Sequence, residues 1–232
     1  MKLSFVIPTL NEENHIRDCI NSIKLQDPNA EIIIADGKSK DNTIKVARSL
    51  GAKVVVEEPT GAGSARNAGA RIATGDVLCF IDADTLLKKN WVGRVNNIFS
   101  DERVVAASGP IFPRDGGVID RILYGMAMRI LPLTTLPFNF YQFQGPNMAF
   151  RKSAFDSMNG FKEKLQALED NEIGNRAREY GKVVWDDKLR VAADTRRFKR
   201  NGYVGMGLVY LRAYWRIYVT KQSETVYSDR GG

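Results

Sequence analysis

Cysteine and histidine are almost absent from the 232-residue chain, which holds two cysteines, Cys19 and Cys79, and one histidine, His15. The cysteines stand sixty positions apart with no second Cys near either, so the paired Cys/His spacing of a zinc site is excluded. They read as buried, reduced thiols. No Asn-x-Ser/Thr sequon occurs, and the opening Met1 to Pro8 carries too short an apolar run for a signal peptide and reads directly into a strand, so a cytoplasmic protein is expected. Long apolar runs are also scarce. Residues 130–150 lack any charge and are nominally long enough to span a bilayer, but Pro132, Pro137, Pro146, Asn139, Gln142, Gln144 and Asn147 mark them as loop and short strand. Residues 203–219 are apolar and aromatic but are cut by Arg212 and Arg216, which suits a helix lying on an interface or packed on the body.

What is present is globular in kind. Hydrophobic residues make up 44% and charged residues 26%, which argues against a disordered, collagen-like or coiled-coil chain. The length is about one and a half times the ~150-residue prior for a domain, enough to bury a sizeable core. The formal net charge of +7 is uneven: residues 186–221 hold nine basic side chains against three acidic ones, a local +6. Such a cluster suits nucleic acid, an anionic membrane, a phosphorylated substrate or simply a solvated face, and charge alone does not choose among them.

The first half alternates strand and helix signals. Strands are expected at residues 3–8, 31–35, 53–56 and 77–81, with helices at 12–25, 43–50 and 64–73 between them. That beat implies right-handed crossovers, a central mostly parallel sheet flanked by helices, and an α/β Rossmann-like single domain. Ligands in such sheets sit beyond the carboxyl ends of the strands, so residues 8–12, 36–41, 57–63 and 82–85 are expected along one rim. The second half is less regular, with helices at 91–99, 117–131 and 169–180, a strand at 104–108, a short edge strand at 148–150 and a helical turn at 152–158.

The strongest chemical signal is Asp82-Ala83-Asp84 after an uninterruptedly apolar strand. Two carboxylates there can offer hard oxygens to Mg²⁺ or Mn²⁺ and to a nucleotide's sugar and diphosphate, although an isolated Asp-x-Asp is as readily a solvated turn. Asp36 ends the second strand at the same rim, where its carboxylate can accept a base N–H or merely close an Asp-Gly turn. Arg66 and Asn67 follow Gly61-Ala62-Gly63, so a helix end and a guanidinium can meet phosphate; the rival is an ordinary surface arginine. The dinucleotide fingerprint fails because Arg66 stands where its third glycine is required, and Gly37-Lys38-Ser39 fails as a phosphate-binding loop because its earlier glycine falls on Ile32.

Taken in order, Val6 to Glu13, Ala35-Asp36-Gly37-x-Ser39-x-Asp41-Asn42-Thr43, Ala65-Arg66-Asn67-x-Gly69, Phe80 to Asp84 and Gly145 to Arg151 resemble glycosyltransferase family 2, the inverting nucleotide-sugar transferases with the A-type fold. The resemblance spans roughly residues 3–200. It implies that Pro8, Thr9, Glu12, Asp36, Lys38 and Arg66 border the donor, that Asp82 and Ala83 meet the nucleotide sugar, and that Asp84 binds a divalent metal. It further implies a catalytic base in Leu168-Glu169-Asp170, assigned to Asp170, with Gly145, Asn147 and Glu169 on the acceptor side. The expected organisation is a domain over 1–200, with a nucleotide-sugar half at 1–115 and an acceptor half at 116–200, then a basic aromatic helix and tail at 201–232. Some relatives use a late histidine as an extra metal ligand; none is present, leaving Asp194, or water and phosphate oxygens, to complete the shell. Arg196 or Arg197 is expected to fold over the diphosphate, with solvated basic residues as the rival.

The chemistry accords with these roles. Negative charge grows on the departing phosphate, where a divalent ion and an arginine stabilise it, while an ionised aspartate takes the acceptor's proton. A single sugar is therefore expected to pass from a UDP- or GDP-sugar to an acceptor hydroxyl, a lipid-linked one if the 130–150 and 203–219 stretches meet a membrane's inner face. In the rival view the tail packs on the domain or in a homodimer interface. A nucleotidyltransferase is the alternative enzyme, but Thr9 to Glu13 lack its glycine-rich arginine loop. A nucleic-acid binder leaves Asp36, Asp82, Asp84 and Asp170 without a purpose, so no nucleic-acid partner is expected.

Overall fold

The computed structural model describes residues 1–58, 61–114, 117, 143–163, 165 and 168–194. All but the first residue of the expected helix at 117–131, most of the uncharged 130–150 run, and everything from residue 195 lie outside them.

The three inner strands of the first half are short and largely apolar and alternate their side chains between two covered faces. β1 (Leu3–Thr9), β2 (Glu31–Asp36) and β4 (Val77–Phe80) send Phe5, Ile7, Ile32, Ile34, Val77 and Cys79 into one apolar cluster. Val6, Ile33, Leu78 and Phe80 enter a second cluster on the opposite face, the period of two that a doubly covered strand requires. The first cluster is closed by α1 (Ile16–Lys24), whose Ile16, Cys19, Ile20 and Ile23 recur at helical spacing, with Ala47 of α2 (Thr43–Ser49) beside it. Trp91 and Val95 of α4 (Trp91–Phe99) complete that face. The second is closed by α3 (Ala62–Ile72), α5 (Lys152–Ser157) and α6 (Glu169–Arg176).

With β3 (Lys53–Val56), β6 (Val104–Ser108), β8 (Met148–Arg151) and β9 (Lys182–Trp185), the large sheet runs β3-β2-β1-β4-β8-β6-β9. All pairs are parallel except those of β8, which runs antiparallel to both β4 and β6. The strand expected at 148–150 is thus interior, not an edge. Met148, Ala149 and Phe150 are all fully buried, and a three-residue run gave too little pattern to separate one covered face from two. Strand order reverses between β1 and β4, the switch point at which α/β sheets open a crevice beyond their carboxyl ends. A smaller sheet of β5 (Leu86–Leu87), β10 (Val191–Ala193) and β7 (Ile111–Pro113) was not foreseen, since two- and three-residue strands carry no readable alternation. Among the described residues no helix is long and apolar enough to cross a membrane.

Gly69 lets α3 lie against the sheet. A Cβ at that position would fall 2.4 Å from Cγ1 of the buried Val6. Alanine gains at most about 1 kcal/mol in helix propensity, whereas overpacking a rigid core costs about 1–3 kcal/mol. The overlap therefore decides the sign, and Gly69→Ala is expected to lower the melting temperature by several degrees in a thermal denaturation series. An unchanged melt would show that α3 can lift without cost.

Candidate active site

The first two strands end in loops tied to each other. Asp36, buried at the end of β2, accepts hydrogen bonds from Thr9 Oγ1 (2.8 Å), Ser39 N (2.7 Å) and Ser39 Oγ (2.7 Å). Two of these fall on Oδ2 and one on Oδ1, and a carboxylate accommodates about four, so Oδ1 retains room for one further donor. Asn11 N donates to Ser39 Oγ at 2.8 Å and Lys40 N to Asn11 Oδ1 at 2.8 Å. Asn11 and Lys38 adopt left-handed backbone angles, φ 56° and 65°. Leu168, immediately before α6, does the same at φ 57°. Such residues carry a steric cost that persists where surrounding contacts over-determine the turn, and here three of them flank one rim.

Beyond β4 the side chains converge on Arg66. Its Nη2 donates to Asp82 Oδ1 at 2.9 Å and its Nη1 to Glu169 Oε1 at 3.0 Å, while its stem and head are almost wholly buried. The guanidinium stands 5.6 Å from the centre of the Phe161 ring. Asp170 lies alongside: Gly145 N donates to its Oδ2 at 2.9 Å and Asn171 N to its Oδ1 at 2.8 Å. A Cβ on Gly145 would sit 3.2 Å from both Arg66 Nη2 and Asp170 Oδ2, so glycine there lets the loop thread between the two groups. Residues distant in sequence, from β4, α3, the 143–147 loop and α6, thus form one charged cluster.

Its electrostatics are uneven. Burial and the adjoining Glu169 carboxylate push the Asp170 carboxyl up to about 7, against the pull of Arg66 and the two backbone N–H groups. Arg66 loses solvation by burial, but Asp82, Glu169 and Asp170 more than offset that and hold its proton more tightly than usual. A half-ionised carboxyl near neutral pH, set in the first turn of a helix beside Arg66, is suited to accept a proton from a hydroxyl.

The other residues singled out by the sequence occupy varied settings. Pro8 and Thr9 end β1; Glu12 leads into α1, its backbone N–H donating to Thr43 Oγ1 at 2.8 Å. Lys38 is exposed and ion-paired to Glu58. Ala83 is buried and Asp84 is half-buried, approached by Thr85 Oγ1 at 3.3 Å. Arg66 is neither a surface residue nor at a helix start: α3 begins at Ala62, which places Arg66 in its second turn and draws it inward between two carboxylates. Asn147, expected on the acceptor side, is turned into the fold. Its Oδ1 accepts from Trp91 Nε1 at 2.9 Å and its Nδ2 donates to Leu189 O at 2.7 Å, so both ends of the amide are committed to holding three elements together. Arg196 and Arg197 lie outside the described residues. Ser39, which fixes Asp36, received no role from the sequence although its place in Asp36-Gly37-x-Ser39 was the available signal.

The donor set fits a hard divalent cation of a particular kind. Among the described residues no three His, Cys, Asp or Glu side chains are gathered as a closed metal cage. Asp84 and Asp82 offer carboxylate oxygens at the end of β4, and one Asp82 oxygen is committed to Arg66. One or two carboxylates with the rest of the shell supplied by phosphate and water is the manner in which Mg²⁺ is commonly held.

With this geometry in place, comparison with known proteins decides the family. The model described as "Glycosyl transferase family 2" matches residues 4–158, two thirds of the chain. The chain belongs to glycosyl transferase family 2. Among curated relatives of this family-2 chain, glycosyltransferase AglE of Haloferax volcanii is 28% identical over 131 residues, 51% of the chain and 43% of AglE. A second, from Methanococcus voltae, is 31% identical over 138 residues, 55% of the chain and 42% of its own length. Its name is dolichyl N-acetyl-alpha-D-glucosaminyl phosphate 3-beta-D-2,3-diacetamido-2,3-dideoxy-beta-D-glucuronosyltransferase. The chain therefore spans less than half the length of these relatives. Among solved structures, the Pyrobaculum calidifontis mannosyltransferase PcManGT, in complex with GDP-Man and Mn²⁺, superposes with a TM-score of 0.72 at 19% identity, covering 94% of this chain and 64% of that one. Glucosyl-3-phosphoglycerate synthase from Mycobacterium tuberculosis, in complex with Mn²⁺ and UDP-glucose, gives 0.63 at 22% identity, with 90% and 77% covered. These likenesses establish the A-type glycosyltransferase fold for the family-2 chain.

Proposed function

We propose that this protein moves a single sugar from a UDP- or GDP-sugar to an acceptor hydroxyl with inversion at the anomeric carbon. The observation that carries this is the convergence of Asp82, Arg66, Glu169 and Asp170 beyond the end of β4, with a carboxyl poised near neutrality beside them. Asp36, through the remaining capacity of Oδ1, receives a base N–H; Thr9 and Ser39 keep it aimed. Asp82 meets the sugar end of the donor. Asp84 holds Mg²⁺ or Mn²⁺, with Asp82 second to it, and such an ion supplies neutralisation of the charge that gathers on the departing diphosphate. Asp170 takes the proton of the acceptor hydroxyl as its oxygen attacks the anomeric carbon, and the carbon–oxygen bond to diphosphate breaks on the opposite side. No enzyme nucleophile is required for that displacement. The Methanococcus relative's name supports a lipid-linked acceptor for this chain as well.

The test is donor-specific stabilisation followed by turnover. UDP, GDP and their sugars, screened with Mn²⁺, are expected to raise the melting temperature for one nucleotide series only, because a ligand that prefers the native state stabilises it. Release of that nucleoside diphosphate in the presence of an acceptor, with product of inverted anomeric configuration by NMR, completes it. No shift with any nucleotide sugar would sink the proposal. Asp84→Ala is expected to abolish the Mn²⁺ dependence of the donor-induced shift and to lower turnover by about 10²-fold or more, a loss of about 3 kcal/mol in the barrier.

A further inference from the structure

Asn67, the neighbour of Arg66 on α3, takes no part in the chemistry above, yet its side chain makes a two-point contact with main chain 94 positions away. Its Oδ1 accepts from Phe161 N at 2.8 Å and its Nδ2 donates to Phe161 O at 2.9 Å, the pairing that a neighbouring strand would otherwise give. Nδ2 also reaches Glu163 Oε1 at 3.2 Å. The fit leaves no slack: Gly160, at φ +66°, would place a Cβ 2.4 Å from Asn67 Oδ1. From the other side, Arg176 of α6 donates to Gly160 O at 2.8 Å and to Met158 O, and its guanidinium is itself held by Glu172. The Phe161 ring is buried against Phe80 and Phe155, with centroids 5.2 and 5.6 Å away.

The turn at 158–161 is therefore grasped by α3 through Asn67 and by α6 through Arg176. α3 carries Arg66 on the donor side, and α6 carries Glu169 and Asp170. We infer that Asn67 is a positioning residue: by clamping the Phe161 backbone it fixes the approach of the base-bearing helix to Asp82 and Arg66. This rests on the proposed role of Asp170 as base. A neutral amide is the only common side chain of this length that both donates and accepts in one plane, so the clamp cannot be kept by alanine or by aspartate. Displacement of reacting groups by about 1 Å is enough to cost on the order of 10²-fold in rate.

The experiment compares wild type with Asn67→Ala and with the same-sized Asn67→Asp, which keeps the bond from Phe161 N–H but faces its carbonyl with a carboxylate. Glu163→Gln, which leaves both bonds to Phe161 intact, is the control. Both Asn67 variants are expected to lose 10- to 100-fold in kcat on the folded fraction, with donor KM within about threefold of wild type and Glu163→Gln unchanged. The Asp170 carboxyl, followed by NMR titration, is expected to move in its midpoint in the Asn67 variants. Full kcat with an unmoved Asp170 titration in either folded variant overturns the inference, as does a loss confined to donor KM. If wild type transfers no sugar while the Asp170 midpoint still moves in Asn67→Ala, the clamp stands and the functional reading falls.

Discussion

Asp170→Asn is expected to bind the nucleotide donor as wild type does and to transfer sugar about 10³-fold more slowly, the scale of losing a positioned general base. The shifted carboxyl makes the pH dependence equally informative. Only the ionised form accepts a proton, so kcat/KM of the wild type should fall tenfold per unit as pH drops below about 7, the value to which burial and Glu169 push Asp170. Glu169→Gln removes the adjoining negative charge and should move that acid limb to lower pH. A limb that stays in place would show that burial alone sets it. Stability runs in the opposite sense. The folded carboxyl titrates near 7 and the unfolded one near 3.8, so protonation favours the fold and this contribution is lost as pH rises through 7. Between pH 5 and pH 8 the wild type should lose about 2–3 kcal/mol relative to Asp170→Asn, read from urea midpoints at each pH. Asparagine forces one donor against a backbone N–H of Gly145 or Asn171, a cost that does not vary with pH and so drops out of that difference. The proposed base is thus ionised for chemistry only where ionisation strains the fold.

How far this site could be read from the chain follows from where its information lies. β1, β2 and β3 were legible as short, nearly unbroken apolar runs, and α4 because Trp91, Val92, Val95, Ile98 and Phe99 recur at helical spacing after Asn90. The rim was legible because parallel strands must deliver their following loops to one end, which is why Asp36 and Asp82 share it. Arg66 was named as a donor residue, but its burial was not foreseen: nothing local says that Glu169, 103 positions later, folds back onto it. Asn147 misled for a related reason. An amide in a loop looks available, and only the distant Trp91 and Leu189 reveal that both ends are consumed inside the fold. β8 looked like an edge because insertion of an antiparallel strand between β4 and β6 is a property of the sheet's pairing, absent from the strand's own four residues. Pattern yields elements and their facing; pairing between remote segments must come from packing.

The second large effect expected is structural, and it falls on Arg66. Arg66→Met keeps most of the side chain's volume and its packing against Phe161, and it removes only the charge and the fork of donors. Asp82, Glu169 and Asp170 then face one another with no cation between them, and breaking a buried ion pair from one side costs about 3–5 kcal/mol. For a chain of this size that corresponds to a melting temperature lower by on the order of 10 °C. The deficit should depend on pH in a direction fixed by the same carboxylates. Without Arg66, whose attraction lowers the Asp170 pKa, the carboxyl titrates still higher, so acid relieves the repulsion and the gap between variant and wild type narrows from pH 8 to pH 5. Arg66→Lys separates charge from geometry. One ammonium cannot occupy the two positions now filled by Nη1 and Nη2, so the lysine variant should recover part of the stability but hold only one of Asp82 and Glu169 at a time. Melting curves of the three proteins at two pH values decide the matter: an Arg66→Met protein that melts within two degrees of wild type at pH 8 would show that the guanidinium is not what joins α3 to the end of β4 and to α6. If the gap instead opens and then closes with acid, the cluster is a single electrostatic unit, and the position of the proposed base depends on a residue that never touches the proton it moves.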